Sequence, residues 1–123
     1  MDRSREPEDL RKRTKAYSLR IIRLYGSLPE TTVAQVIGRQ VLRSGTSPGA
    51  HYREAYRSRS PAEFISKIEG GLQELEETVY WLELLIESDT VPAHLLAPLI
   101  EETNELIAIF TASAKTAKKH KRQ

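Results

Sequence analysis

Apolar side chains return at steps of three and four along most of this chain. In the first third they fall at Leu10, Tyr17, Ile21, Leu24 and Leu28, with Ile22 and Tyr25 widening the stripe. That is the period of an amphipathic helix, whose turn of about 3.6 residues brings such positions onto one face. The stripe predicts a helix from about Asp9, stopped by Pro29, which lacks an amide proton and disfavours helical geometry in the residue before it. Thr31 or Thr32 can cap a second helix with Val33, Val36, Ile37, Val41 and Leu42 on its core face. The sharpest boundary is Ser60-Pro61-Ala62-Glu63, with Ser at the N-cap, Pro at the first helical position and Glu placed to complete a capping box. A third helix follows to about Ser88, with Phe64, Ile68, Leu72, Leu75, Val79, Leu82 and Ile86 on its stripe and Ile65, Trp81 and Leu85 beside it. The last helix begins near Pro92, carries Leu95, Leu96, Leu99, Ile100, Leu106, Ile107 and Phe110, and ends in a basic segment from Lys115. Pro98, within its first two turns, marks where the regular helix starts.

Two places break the pattern. Pro48, in Ser44-Gly45-Thr46-Ser47-Pro48-Gly49, cannot donate to the Ser44 carbonyl. The second helix therefore either kinks there or breaks, with Ser47 as a new N-cap and Pro48 at the first helical position. Gly70-Gly71 costs the third helix about 1 kcal/mol per glycine relative to alanine. Close approach of another helix would explain it; simple tolerance is the other reading. Four helical segments with short connections predict an all-α fold, an antiparallel up-down-up-down four-helix bundle. It forms one domain over residues 1–123, with residues 1–8 frayed and residues 115–123 a basic C-terminal tail, the two ends disordered.

At 123 residues, with 29% charged and 39% hydrophobic residues, the chain suits one modest core and excludes both wholesale disorder and a membrane protein. No apolar run nears the roughly 20 residues of a bilayer span, and the start lacks a signal-peptide core. With no cysteine there is no disulfide framework, thiol nucleophile or cysteine-based zinc site, so a cytoplasmic location is expected. His51, His94 and His120 form no helical ligand pair, and no phosphate loop, nucleophile elbow or dinucleotide fingerprint is present. Glu74, Glu76, Glu77 and Glu83 read as a solvated helix face. The expectation is a protein with no catalytic residue, no metal and no cofactor.

Charge changes the picture more than composition does. The net +2 conceals +7 over residues 1–59, −10 over residues 60–105 and +5 over residues 106–123. Arg39 and Arg43 are four apart, as are Arg53 and Arg57, so each pair shares a helix face. Arg59 and the tail residues Lys115, Lys118, Lys119, Lys121 and Arg122 add to them. Tyr52 and Tyr56 lie among these arginines, where rings could stack on bases. Arg39, Arg43, Arg53, Arg57, Arg59, Lys115, Lys118 and Lys119 are the candidate nucleic-acid-binding residues, for RNA or DNA. The competing reading pairs the arginines with acids of the same bundle and packs the tyrosines. A third uses the asymmetry itself: the basic front of one copy docks on the acidic back of the next, a heterologous contact oriented by complementary charge. A protein adaptor without nucleic acid is the alternative function.

Particular runs carry a resemblance. Arg43-Ser44-Gly45-Thr46-Ser47, Gly49-Ala50, Arg53-Glu54-Ala55, Glu63-Phe64-Ile65 and Glu77-Thr78 followed by Tyr80-Trp81-Leu82-Glu83-Leu84-Leu85 resemble the bacterial 23S rRNA intervening-sequence proteins over roughly Leu10 to Lys118. The resemblance implies a compact antiparallel four-helix bundle assembled as a homopentameric ring. It also implies a fold similar to the accessory protein of diversity-generating retroelements, a basic pentamer that binds nucleic acid and a reverse transcriptase. No catalytic residue is implied. Pro48 stands where that family usually has an apolar β-branched residue and His51 where it usually has Asn. Because the family runs one helix through this stretch, the resemblance favours a continuous, kinked second helix.

Overall fold

The computed structural model describes residues 7–121, which form α1 (Pro7–Ser27), α2 (Thr32–Tyr56), α3 (Pro61–Glu87) and α4 (Ala93–Lys121). Connections of a few residues force each helix antiparallel to the one before, and α2 packs against both α1 and α3 while α4 lies against α3. Of the frayed start expected over residues 1–8, residues 1–6 lie outside the described residues, and α1 already runs at Pro7. At the other end the basic segment is not a disordered tail: α4 stays helical through Lys121, and Arg122 lies outside the described residues.

The buried faces are narrow. Ala34, Gly38, Val41, Gly45, Pro48, Tyr52 and Ala55 on α2, and Ile68, Gly71, Leu75, Thr78, Leu82 and Leu85 on α3, alternate steps of four and three, with Ser44 and Gly49 buried beside the first row and Ile65 before the second. This is the spacing of a coiled-coil seam, narrower than the stripe of a general amphipathic helix. Val33, Val36, Ile22 and Leu95, expected in the core, fall outside it and are 52%, 54%, 49% and 61% exposed.

Proline does not divide the second helix: α2 runs continuously through a buried Pro48. In the turn before it, the Thr46 and Ser47 hydroxyls donate to the carbonyls of Leu42 and Arg43, each at 2.7 Å. Nor does Pro98 mark a boundary, since α4 starts at Ala93 and carries Pro98 inside its first turns. The capping box is shifted by one residue. Ser60 accepts from the Glu63 amide at 3.1 Å, but the Glu63 carboxylate accepts from the amide of Arg59 instead of Ser60. At the end of α3, Asp89 takes the left-handed conformation (φ 59°), and the amides of Asp89 and Thr90 close onto the carbonyls of Ile86 and Leu85. That is a Schellman turn, with Asp in the position glycine usually fills.

Two glycines show how closely α2 packs on α1 and α3 on α4. A Cβ on Gly45 would lie 2.7 Å from the Ile21 side chain of α1, and one on Gly71 would lie 2.7 Å from the Phe110 ring of α4. Close approach is therefore the reason for Gly71. Buried hydroxyls fix the register of the seams. Each helix carries one buried Thr or Ser, at Thr14, Ser44, Thr78 and Thr103. The Thr78 and Ser44 hydroxyls meet at 2.8 Å between α3 and α2. Thr103 donates to the Leu99 carbonyl, so the Tyr17 hydroxyl, 2.6 Å away, donates to Thr103 and ties α1 to α4.

Two predictions follow from this packing. Gly45→Ala should destabilise the bundle by about 1–3 kcal/mol through overpacking, although alanine is the better helix former. Gly26→Ala, with nothing within 4 Å of the added Cβ, should stabilise it by up to about 1 kcal/mol. Urea unfolding followed by circular dichroism measures both. Burial pushes the Tyr17 hydroxyl up to about 12, against about 10 in an unfolded chain. The folded form thus keeps its proton after the unfolded form has lost it. Stability present below about pH 10 should fall by about 2–3 kcal/mol as pH rises to 12. Tyr17→Phe should be less stable near neutrality but lose less across that interval, which urea titrations at stepped pH would show.

Candidate nucleic-acid interface

The antiparallel order brings four segments to one end of the bundle: the start of α1, the finish of α2 with its connection, the start of α3 and the finish of α4. Arg53 stands exposed on the last turn of α2, Arg57 at its C-cap and Arg59 in the connection, and Lys115, Lys118 and Lys119 are exposed on α4. Seven further positions of α4 beyond Ala114 extend this end because the segment is helical. Six of the eight candidates therefore converge. Arg39 and Arg43 do not, because they lie further back along α2.

Ion pairing separates the candidates again. Arg43 is not free for a ligand. It reaches Glu74 of α3 at 3.2 Å, pairs closely with Glu77, and bonds Gln40 on its own helix. Two carboxylates one turn apart on α3 thus engage Arg43, whose side chain stays 52% exposed. Lys118 is held by Glu69 at 2.7 Å. Lys67 pairs with Glu54 at 2.7 Å, and that hydrogen bond holds the Glu54 carboxyl below its ordinary range and raises the Lys67 ammonium. Two local acids are thus consumed by two lysines, and a third, Glu63, is turned onto the Arg59 amide. Among the described residues Arg39, Arg53, Arg57, Arg59, Lys115 and Lys119 have no ion-pair partner.

The tyrosines divide. Tyr52 is buried at 4% exposure against the Phe110 ring, 6.1 Å between centroids, and is unavailable to a base. Its position on the seam, four residues after Pro48, decides this. Tyr56 is exposed, and the Arg11 guanidinium sits 4.6 Å from its ring centroid, a cation–π arrangement. The structure also adds α1 residues that spacing alone missed. Lys15 and Ser18 line a shallow cleft with Gly49, Ala50 and Arg53 of α2, so Arg11 and Lys15 join the arginines across the α1–α2 seam. The signal in the sequence was the polar face of the first helix, but nothing there fixed its level against α2.

Arg13 behaves differently again. Its guanidinium makes a two-bond fork to Glu102 of α4, at 2.8 and 2.7 Å, and reaches Glu105 at 3.3 Å; the bond to Glu102 raises its pKa. It is a structural cation that closes α1 on α4. His51 packs over Gly70, where an added Cβ would come within 2.9 Å of its ring. Among the described residues no cluster of three or more His, Asp or Glu is placed to hold a metal ion, and no helix is long and apolar enough to cross a membrane.

The fold and this end define an antiparallel helical bundle with a cationic pole. Within that class the chain belongs to the 23S rRNA-intervening sequence protein family, whose model matches residues 8–112. Among solved structures it is similar to a protein of unknown function from the S23 ribosomal protein family from Bacteroides thetaiotaomicron VPI-5482. The two share 33% identity over 89% of this chain and 97% of that one, with a TM-score of 0.83. No curated protein matches the chain.

Proposed function

We propose that this is a non-catalytic, cytoplasmic scaffold that assembles with copies of itself and holds the phosphate backbone of RNA or DNA at its cationic pole. The supporting observation is the set of charges left over once the local ion pairs are made: Arg53, Arg57, Arg59, Lys115 and Lys119, with Arg11 and Lys15 beside them. Guanidinium and ammonium groups on helix ends suit phosphate oxygens, which position a nucleic acid without reading its bases. Such contacts act chiefly by releasing counterions, so binding depends on salt more than on sequence. A ring of five copies, as the family resemblance implies, would place five such poles on one particle and multiply a weak contact.

The adaptor reading rests on a different observation: Leu19, Ile22, Val33, Val36, Tyr80 and Leu95 are large apolar side chains left exposed. These suit protein contacts, including contacts between copies, and are compatible with the cationic pole.

The test is fluorescence anisotropy with a short single-stranded RNA and with duplex DNA. Binding should be measurable at ~50 mM salt and fall steeply as salt is raised. Arg53→Glu with Arg57→Glu should weaken it at least tenfold or so, with unchanged helical content. Arg43→Ala should change it by less than about twofold, because that guanidinium is already committed to α3. No binding at low salt by the intact protein, or equal losses from both sets of substitutions, would overturn the proposal.

A further inference from the structure

The lysines at the end of α4 border a second feature of the cationic pole. Between the first turn of α3 and the last turns of α4 opens a cleft of about 390 Å³, lined by Phe64, Ala112, Ser113, Thr116, Ala117 and His120. Its α4 wall follows helical spacing, since positions 113, 116, 117 and 120 share one face. Alanine at two wall positions keeps the cleft open, and two rings border it. Phe64 packs half-buried against the core, and His120 stands exposed one turn beyond Thr116.

Two observations point to a flat, polar ligand joined to an anion. The first is unspent hydrogen bonding. Ser18, Thr46, Ser47 and Thr103 turn their hydroxyls back onto the carbonyl four residues earlier. Half-buried Ser113 and exposed Thr116 do not, and among the described residues neither hydroxyl has a hydrogen-bond partner. The second is the charge alongside. Lys115 and Lys119 precede Thr116 and His120 by one residue each, both are exposed, and neither has an ion-pair partner among the described residues. Four residues separate them, about 6 Å along the helix, close to the step between successive phosphates of an extended strand. Glu69, which reaches across to this part of α4, is held by Lys118.

We propose that this cleft takes an unpaired nucleobase of a single-stranded RNA or DNA lying on the pole. The inference rests on the backbone-binding function proposed above and names the form of nucleic acid it receives. Phosphates lie on Lys115 and Lys119, and the base turns inward against Phe64 and His120, the kind of ring on which splayed bases stack. The Ser113 and Thr116 hydroxyls meet the edge of the base. A hydroxyl donates or accepts as required, and every base has a face to stack, so the cleft is tolerant of sequence. A base inside a duplex is already stacked and paired, and entering the cleft would require its extrusion.

The test compares strands of equal charge. Fluorescence anisotropy is measured with a short oligothymidylate and with the same strand carrying abasic sites in place of its bases. The base-bearing strand should bind about tenfold more tightly. That ratio should hold as salt is raised, because the phosphate contacts are common to both strands. His120→Ala, at an exposed position, and Phe64→Leu, which keeps an apolar side chain and removes the ring, should each cut the ratio at least about threefold. Binding of the abasic strand and of a duplex should respond to neither substitution, and circular dichroism should show unchanged helical content. Equal binding of the two strands, a ratio untouched by both substitutions, or equal losses with the duplex would overturn the base cleft and leave the phosphate reading standing. Failure of every one of these polyanions to bind at low salt would overturn that reading, and this inference with it.

Discussion

The narrowness of the buried seam governs the rest of this molecule. Each helix offers one strip of core residues, spaced alternately by three and four on α2 and α3, and only closure of four such strips on one another removes them from water. Leu42, Leu72 and Trp81 flank the strip half-buried, and positions further from it are turned outward, including apolar residues that a wider helix stripe would have absorbed. The exposed Ile22, Val36 and Leu95 and the unpaired arginines thus have one cause. Close approach at Gly45 and Gly71 tightens the same constraint, because it leaves no room between helices for a side chain that misses the seam.

Within that frame electrostatics sorts the cations by what lies opposite them. Arg13 and Arg43 face glutamates on a neighbouring helix and become internal ties. Arg53, Arg57 and Arg59 sit where the nearby acids are already engaged, by Lys67, by Lys118 and by the Arg59 amide. These are exposed surface pairs, screened by solvent, and their consequence is more for the remaining surface than for stability. They neutralise Lys67 and Lys118 and leave Arg53, Arg57 and Arg59, whose planar forks suit phosphate best, beside Lys115 and Lys119.

The helix number, their order and the Ser60 boundary were legible because proline, capping residues and periodicity act locally. Pro48 was ambiguous for a physical reason: a single missing donor can be absorbed when neighbouring seams hold the helix on both sides, and no local rule records that support. The site was half legible. Clustering of Arg53, Arg57 and Arg59 with the α4 lysines depends only on antiparallel order, which the sequence implies. The removal of Arg43 depends on Glu74 and Glu77 lying level with it across the α2–α3 seam, and the loss of Tyr52 depends on its place in that seam. Both are questions of register between helices, as is the arrival of Arg11 and Lys15, and register is set by buried contacts such as Ser44–Thr78 and Tyr17–Thr103.

If the leftover cations at one pole are what this bundle presents to a polyanion, the footprint of that ligand must be confined to the pole. Amide hydrogen exchange by mass spectrometry, with and without a saturating single-stranded RNA, reads this directly. Exchange should slow in peptides covering residues 50–60 and 112–121 and stay unchanged in those covering residues 29–40 and 84–98. Protection at the opposite end, or spread evenly along all four helices, would contradict the account.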